Sequence, residues 1–253
     1  MYFDTHAHYC AKQFDEDRDT LIASMPPNDI SYIVNAGSDI NRLTYSIDFA
    51  EKYSFMYAAV GVHPHDSAKM TDEHLPEIEK LLSHPKLVAV GEIGLDYHYD
   101  FSPRDVQKKR FRQQLELARN ANKPVIVHQR ESLNDSLEIA REYRDLSGVF
   151  HCFSGSWETA KIILDLGWHL SFTGIITFKN ARQVIEVIEK MPMDRMMLET
   201  DCPYMAPEPM RGRRNSSLFL KYIAQKVATI RRIPHEEVAA ITTENGKRFF
   251  GIE

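Results

Sequence analysis

The chain is poor in cysteine. Its 253 residues contain only Cys10, Cys152 and Cys202, which are far apart and form no CxxC motif. An odd number of widely spaced cysteines is typical of a protein from a reducing compartment without structural disulfides. Cys152 and Cys202 each adjoin a polar residue, His151 and Asp201. Because neighbours on an extended chain point to opposite faces, we expect both thiols to lie in the core.

Long apolar runs and a surplus of basic residues are also lacking. No stretch approaches 18 uninterrupted apolar residues, and no basic segment followed by an apolar run opens the chain. We therefore expect a cytoplasmic protein with no membrane contact, and no obligatory protein partner is evident. The net charge is −5. A tight, non-specific binder of duplex DNA usually has a basic surplus, so any nucleic-acid contact is expected to be local.

Short apolar segments alternate with amphipathic ones along the whole sequence. The apolar segments lie at 2–6, 32–37, 55–62, 87–95, 124–128, 148–153, 169–174 and 196–201. The helical patterns lie at 17–24, 40–53, 72–84, 107–122, 132–145, 156–167, 180–191, 217–232 and 235–250. Eight strand–helix units predict parallel pairing. We predict one domain over 1–253, a slightly irregular (β/α)8 TIM barrel with an extra C-terminal helix, and a doubly wound open sheet is the alternative.

Histidines and acids recur where these predicted strands end. They are His6 and His8, His63 and His65, Glu92, His128, His151, and Glu199 with Asp201. In a barrel of this kind the chemistry lies at the C-terminal ends of the strands. One histidine at a strand end is more often a hydrogen-bonded surface residue than a ligand, but the set as a whole favours a metal site. Alternation would also place Asp4 on the same face as His6 and His8.

The types of these residues narrow the metal chemistry. Imidazole and carboxylate together suit Zn, Mn, Fe, Co or Ni, and with water ligands Mg. Even four of these histidines with two of the carboxylates exceed the three protein ligands of a typical catalytic ion. They suffice for two ions bridged by a carboxylate, an arrangement that activates water for phosphoryl or acyl transfer.

Seven ordered motifs carry a resemblance to a known family. They are "FDTHAH", "VGVHP", "GEIGLDY", "VIVHQRES", "HCFSG", "LETDCPYMAP" and "RGRRN". Together they resemble the TatD family of metal-dependent deoxyribonucleases, in the amidohydrolase superfamily. The resemblance implies two divalent ions (Mg, Mn or Zn), with His6, His8 and Asp201 at one, His128 and His151 at the other, and Glu92 between them. It also implies hydrolysis of DNA, with single-stranded ends as substrate and often from the 3′ end, while some members cut RNA or act as endonucleases.

Further residues are candidates for catalysis and substrate binding. We expect Asp201 to orient and deprotonate the attacking water, with Glu92 also catalytic. The candidate substrate contacts are His63, Arg130, Glu199, Arg211, Arg213 and Arg214. Tyr97, Phe153 or Tyr204 could stack a terminal base. The alternatives are a solvated turn for the three arginines of the 211–214 loop and core packing for the aromatics.

The sequence departs from the family pattern at a few positions. Met210 stands where the family commonly has histidine, and Ser216-Ser217 stand where Glu-Pro is common. These departures bear on substrate preference, because all six expected ligands are present. Two other functions remain open. One is hydrolysis of a small ester, lactone or amide on the same site, and the other is metal binding without catalysis.

Overall fold

Eight parallel strands form one sheet in which neighbours in space are neighbours in sequence. The computed structural model describes residues 1–37 and 39–253. The strands are β1 (Tyr2–Ala7), β2 (Ile30–Gly37), β3 (Met56–Val60), β4 (Leu87–Asp96), β5 (Val125–Arg130), β6 (Gly148–Phe150), β7 (His169–Phe172) and β8 (Met196–Leu198). They pair in parallel in the order β1 to β8. A doubly wound sheet would reverse its order at a switch point, so the barrel prediction is confirmed.

The barrel closes between β8 and β1 without a regular ladder. The Thr5 hydroxyl donates to the carbonyl of Leu198 (3.0 Å), and the Asp201 amide donates to the carbonyl of His6 (3.0 Å). One more backbone bond joins the amide of His8 to the carbonyl of Cys202 (2.8 Å). These bonds tie the chain after β8 to the end of β1, which is where two of the predicted site segments meet.

Helices cover the outside of the sheet. They are α1 (Arg18–Ala23), α2 (Tyr45–Lys52), α3 (His74–Leu81), α4 (Arg104–Asn120), α5 (Leu133–Glu142), α6 (Trp157–Asp165), α7 (Arg182–Lys190), α8 (Leu220–Arg231) and α9 (His235–Phe250). The Ser156 hydroxyl caps α6 by accepting from the Thr159 amide, and Gly167 ends the turn after it at φ 84°. A serine just before a helix and a glycine just after it are usual at these two ends. No helix of the described residues is long and apolar enough to cross a membrane.

Several expected elements are shorter than the sequence suggested, and the cause is clear for two of them. The predicted helix over 40–53 is a 3-10 turn at Ile40–Arg42 followed by α2, because the Asp39 side chain accepts from the Asn41 amide and sets up a separate turn. The predicted strand over 196–201 ends at Leu198. Thr200 leaves the ladder because its amide donates to the carboxylate of Asp4 instead (2.8 Å).

An apolar layer lies beneath the polar residues of the barrel. It contains side chains from seven strands, and three residues near the C-terminus complete it. Its members are Phe3, Val34, Ala59, Val88, Ala89, Ile126, Val149, Met197, Phe249, Phe250 and Ile252. In six strands the apolar residue precedes a predicted site residue by two to four positions, as Phe3 precedes His6 and Ile126 precedes His128. The site therefore rests on a packed floor at the C-terminal ends of the strands.

Candidate metal centre

The six predicted ligands meet around one buried carboxylate. Glu92 lies within β4 and is 3% exposed. The other five are at or just beyond the ends of β1, β5, β6 and β8: His6, His8, His128, His151 and Asp201. Side chains that are far apart in the sequence thus converge, as the barrel prediction required.

One oxygen of Glu92 faces the histidines of β1. Its Oε2 lies 3.4 Å from Nε2 of His6 and 3.4 Å from Nε2 of His8. Oδ1 of Asp201 lies 3.7 Å from the first of these nitrogens and 3.2 Å from the second. The two Nε2 atoms are themselves 2.9 Å apart. Four donor atoms from β1, β4 and the segment after β8 therefore surround one point.

The other oxygen of Glu92 faces a second group of histidines. Its Oε1 lies 2.7 Å from Nδ1 of His128 and 2.8 Å from Nε2 of His151. Nε2 of His63 approaches the same oxygen at 3.4 Å. His63 was expected as a substrate contact, and the structure places it beside the predicted ligands instead. The carboxylate of Glu92 thus stands between two groups of nitrogen donors.

The spacing of these donors fits divalent cations. Donor atoms at the corners of a tetrahedron with bonds of roughly 2.0–2.2 Å lie roughly 3.3–3.6 Å apart. The measured separations in the group of His6, His8, Asp201 and Glu92 run from 2.9 to 3.7 Å. Among the described residues, three clusters could hold an ion: His6 with His8 and Glu92, His63 with Glu92 and His128, and His6 with His151 and Glu199.

The electrostatics of the site also favour cations. Burial disfavours the charged form of His8, yet the hydrogen bonds to Asp201 and Glu92 raise its pKa to about 10. Burial would likewise raise the pKa of Glu92, but the neighbouring histidines, His151 foremost, hold it well below its usual range. For His6, burial lowers the pKa and keeps the ring neutral, with a lone pair to donate. Buried anionic carboxylates beside imidazoles thus attract positive charge at this point, and a divalent cation that displaces the protons can supply it.

A second layer of carboxylates orients the histidines. Oδ2 of Asp96 lies 3.0 Å from Nε2 of His128 and 3.0 Å from Nε2 of His65. Oε1 of Glu199 lies 3.3 Å from Nδ1 of His151. A carboxylate on the far nitrogen of a ligating histidine fixes its ring and raises its basicity.

Glu199 was expected to contact substrate, and the structure places it behind His151. It is 1% exposed and accepts hydrogen bonds from the Cys152 amide (2.7 Å) and the Ser171 hydroxyl (2.5 Å). Since both of its oxygens have partners inside the protein, its position suits support of His151.

Asp4 fixes the chain on which Asp201 sits. Its buried carboxylate accepts from the amide of Thr200 (2.8 Å), the hydroxyl of Thr200 (2.6 Å) and the hydroxyl of Ser217 (2.6 Å). The prediction that Asp4 shares a face with His6 and His8 is wrong. The pairing of β1 with β2 shifts between Asp4 and Ala7, so β1 has one extra residue there and the alternation is interrupted.

A cavity of about 1160 Å³ opens above both groups. Its wall includes the predicted contacts His63 and Arg130, and also two cations that sequence reasoning missed, Lys12 and Arg42. Cys152 also lines it, contrary to its expected place in the core, because its backbone takes a left-handed conformation (φ 47°) that breaks the alternation. Cys202 is fully buried, as expected.

The arginines of the 211–214 loop do not line this cavity. Arg214 pairs with the carboxylate of Asp17 through two bonds of 2.8 and 2.5 Å, and it also donates to the Gln13 carbonyl. The Arg211 guanidinium lies 3.9 Å from the ring centre of Phe178, a residue of the cavity wall. Arg213 is exposed. Their contact with substrate stays a prediction.

Two of the three candidate stacking residues have other contacts within the protein. The Tyr97 hydroxyl donates to Asp135 (2.5 Å), and Phe153 is 4% exposed and packs on Phe172. Tyr204 is 50% exposed and lines the cavity. Tyr99 and Phe101 also line it and were missed. They follow "GEIGLDY", and the sequence around them does not indicate that their side chains are exposed.

Asp96 was missed as a site residue although a signal existed, and His65 was noted at a strand end without being given a role. His65 is the second histidine of "GVHPH", and Asp96 lies four positions after Glu92 in the same strand. Residues four positions apart in a strand lie on the same face, so Glu92 and Asp96 are expected to contact the same neighbouring residue. The carboxylates of Glu92 and Asp96 do both contact His128.

Comparison with known proteins agrees with this geometry. The family model described as "TatD related DNase" matches residues 3–251. The uncharacterized metal-dependent hydrolase YabD of Bacillus subtilis is 44% identical, with all of each chain covered. A 3′-5′ ssDNA/RNA exonuclease TatD of Cronobacter turicensis is 32% identical over 98% of this chain and 97% of its own. Among solved structures, YjjV, a TatD homologue from Escherichia coli, superposes with a TM-score of 0.93 at 28% identity, covering 100% of this chain and 98% of its own.

Proposed function

The chain belongs to the TatD-related DNase family, and on that premise we propose that it hydrolyses phosphodiester bonds of DNA with two divalent cations. We further propose that it removes nucleotides from the 3′ end of a single strand. The name of the Cronobacter turicensis relative supports this polarity. The observation that carries the proposal is the position of Glu92, whose two oxygens face separate groups of nitrogen donors.

The residues present divide naturally between two cations. His6, His8 and Asp201 would hold one, His128 and His151 the other, and Glu92 would contact both. When bound, two such ions lower the pKa of a water towards neutrality and offset negative charge on the phosphate oxygens. Mg, Mn and Zn all fit a donor set of imidazole and carboxylate.

Asp201 has the position of a general base. It is 9% exposed and lines the cavity, and its backbone amide donates a hydrogen bond to the carbonyl of His6. The His8 contact holds the pKa of Asp201 below its usual value in spite of burial, so the carboxylate is ionised at neutral pH. It can orient a water and accept its proton as the oxygen attacks phosphorus.

The wall of the cavity supplies positive charge for a short length of strand. Arg130, Arg42 and Lys12 line it, together with the carboxylates of Asp39 and Asp66, within a chain of net charge −5. Cations confined to one cavity hold a few phosphates and provide no track along a duplex. This distribution supports action at a strand end.

The proposal is tested with purified protein and oligodeoxynucleotides labelled at either end. With Mg, Mn or Zn present, a 5′-labelled single strand should give a ladder that shortens stepwise. A 3′-labelled strand should release labelled mononucleotide at once. A blunt duplex of the same sequence should be cut more slowly.

Two controls decide between nuclease and other hydrolase activity. Glu92→Gln should abolish cutting, and His74→Ala, a histidine on α3 outside the site, should not. A panel of small carboxylic esters and lactones is assayed beside DNA. Turnover of the panel with no cutting of any DNA would refute the nuclease proposal and favour a hydrolase of small esters.

A further inference from the structure

The rim of the cavity gathers most of the exposed large apolar side chains of the described chain. Five such residues are more than a third exposed, and four of them line this cavity: Tyr99, Phe101, Tyr204 and Met205. Exposed apolar surface concentrated at one opening marks a place where a ligand is bound. Tyr204 and Met205 follow β8, and Tyr99 and Phe101 follow β4.

Tyr99 and Phe101 form a stacked aromatic pair at the rim, which we call the aromatic shelf. Their rings are stacked, with centroids 5.3 Å apart and planes 28° apart. They are 47% and 67% exposed. Stacked rings facing solvent suit a flat, partly apolar ligand, and a nucleobase is of that kind.

The shelf is held rigidly. Oδ1 of Asp96 accepts hydrogen bonds from the amides of His98 (3.0 Å) and Tyr99 (2.9 Å). The Gln107 side-chain amide donates to the carbonyl of Ser102 (2.8 Å), and the Ser102 hydroxyl donates to the carbonyl of His65 (2.9 Å). A surface ordered before the ligand arrives loses less entropy on binding.

One imidazole ring separates the shelf from the second histidine group. The His65 ring lies 5.2 Å from the centroid of Tyr99 and 5.0 Å from that of Phe101. On its other side the same ring lies 4.2 Å from His63 and 6.3 Å from His128. The shelf is therefore next to the proposed reaction centre.

Positive charge accompanies the shelf. The Arg130 guanidinium lies 4.8 Å from the centroid of Tyr99 and also lines the cavity. A base on the shelf would bring its own phosphate near this guanidinium. Aromatic face and cation together are the usual means of holding single-stranded nucleic acid without reading its sequence.

We propose that the Tyr99–Phe101 shelf stacks one unpaired nucleobase next to the scissile phosphate, whichever base that is. This proposal rests on the proposed nuclease function and names a part of its substrate site. A base within a duplex is stacked between its neighbours, so a terminal base must separate from its partner to reach the shelf. The shelf would thereby favour single strands and frayed ends.

Binding without hydrolysis tests the shelf independently of the activity. In an Asp201→Asn background, five-nucleotide strands carry the fluorescent base 2-aminopurine at each position in turn. We expect strong quenching of its emission at one position near the 3′ end. Tyr99→Ala with Phe101→Ala should abolish that quenching and weaken binding about 10-fold or more. Tyr99→Trp with Phe101→Trp should retain both, and Tyr222→Ala, an aromatic on α8 away from the cavity, should behave as the parent.

Binding of strands that lack one base provides a second test of the shelf. Removing the base at the quenched position should weaken binding to the parent protein and have little further effect on the Tyr99→Ala, Phe101→Ala variant, because both changes remove the same contact. Unchanged affinity and quenching in a folded alanine variant would overturn the shelf while leaving the nuclease proposal standing. Base-dependent quenching without hydrolysis by the parent enzyme would support the shelf and refute the nuclease proposal.

Discussion

The Nε2 atoms of His6 and His8 lie 2.9 Å apart and both face the carboxylate of Glu92. At this distance one ring can donate an N–H to the other, whereas a divalent cation between them would accept a lone pair from each ring. The nearby carboxylates of Glu92 and Asp201 would complete the surroundings of such a cation. This relationship between a residue of β1 and one just beyond its end leads directly to the predictions on metal binding.

Removing divalent ions should destabilise the protein. Cations held by this site would bind the folded state and not the unfolded chain, so ions at about 100 times their dissociation constant would stabilise the fold by about 2.7 kcal/mol. For a chain of this size we expect the melting temperature to fall by about 5 °C or more in chelator and to recover with Mn or Zn. Differential scanning fluorimetry measures this. His74→Ala should respond as the parent does, and equal melting temperatures with and without each ion would refute the prediction.

Asp201→Asn should preserve the fold and remove most hydrolysis. The amide keeps the shape of the side chain but loses the charge beside His8 and the ability to accept a proton. General-base catalysis typically contributes about 10²–10⁴-fold to the rate. Circular dichroism and the labelled-strand assay measure the two effects. Asp19→Asn, a surface residue paired with Lys52 outside this cavity, is the matched control. Near-parental turnover of Asp201→Asn would place the base elsewhere.

Arg130 and Arg214 should differ in their effect on DNA binding. Arg130 lines the cavity, and Arg214 is paired with Asp17. Each lost phosphate contact removes roughly 0.7 from the logarithmic salt slope for single strands. We therefore expect Arg130→Ala to weaken binding and flatten the salt dependence by about that amount, and Arg214→Ala to change it less. Fluorescence anisotropy at several salt concentrations measures the slopes. A larger change for Arg214→Ala would show that the pair with Asp17 opens to bind DNA.

His169 should make the protein less stable in acid. Burial lowers its pKa from 6.5 to about 4, so the folded state keeps the ring neutral while the unfolded chain protonates it. The folded protein then binds fewer protons, and stability falls as pH drops from about 6.5 towards 4. We expect a loss of about 1–2 kcal/mol at pH 5 from this residue.

The variant His169→Phe isolates this contribution. The ring packs against Phe249, so phenylalanine keeps an aromatic contact without a titrating group. Urea unfolding at pH 7.5 and pH 5 should show a smaller difference for the variant than for the parent. An equal difference in the two proteins would mean that other groups carry the acid sensitivity.

The spacing of apolar residues predicted the barrel because this spacing differs between strands and helices, so their alternation can be seen in the sequence. The predicted ligands could be found since each follows an apolar segment, and parallel strands place such positions at one end. Interruptions of the regular strand geometry at single residues could not be predicted from this spacing. The extra residue in β1 redirects Asp4, and the left-handed backbone at Cys152 turns its thiol towards the cavity.

Long-range partners explain the other differences. Arg214 and Glu199 looked available for substrate because the sequence does not show that Asp17, Ser171 and the Cys152 amide lie beside them. The exposure of Tyr99 and Phe101 depends in the same way on how the segment after β4 folds over His65. Apolar residues in a short segment predict burial by default, and only the tertiary structure shows these two at the cavity rim.

Anomalous scattering from crystals grown with Mn tests the central claim most directly. We predict two peaks, one beside His6 and His8 and one beside His128 and His151, separated by roughly 3.5–4 Å. Each should lie about 2.0–2.2 Å from a different oxygen of Glu92. A single peak, or peaks that do not contact Glu92, would contradict a two-cation site bridged by this carboxylate.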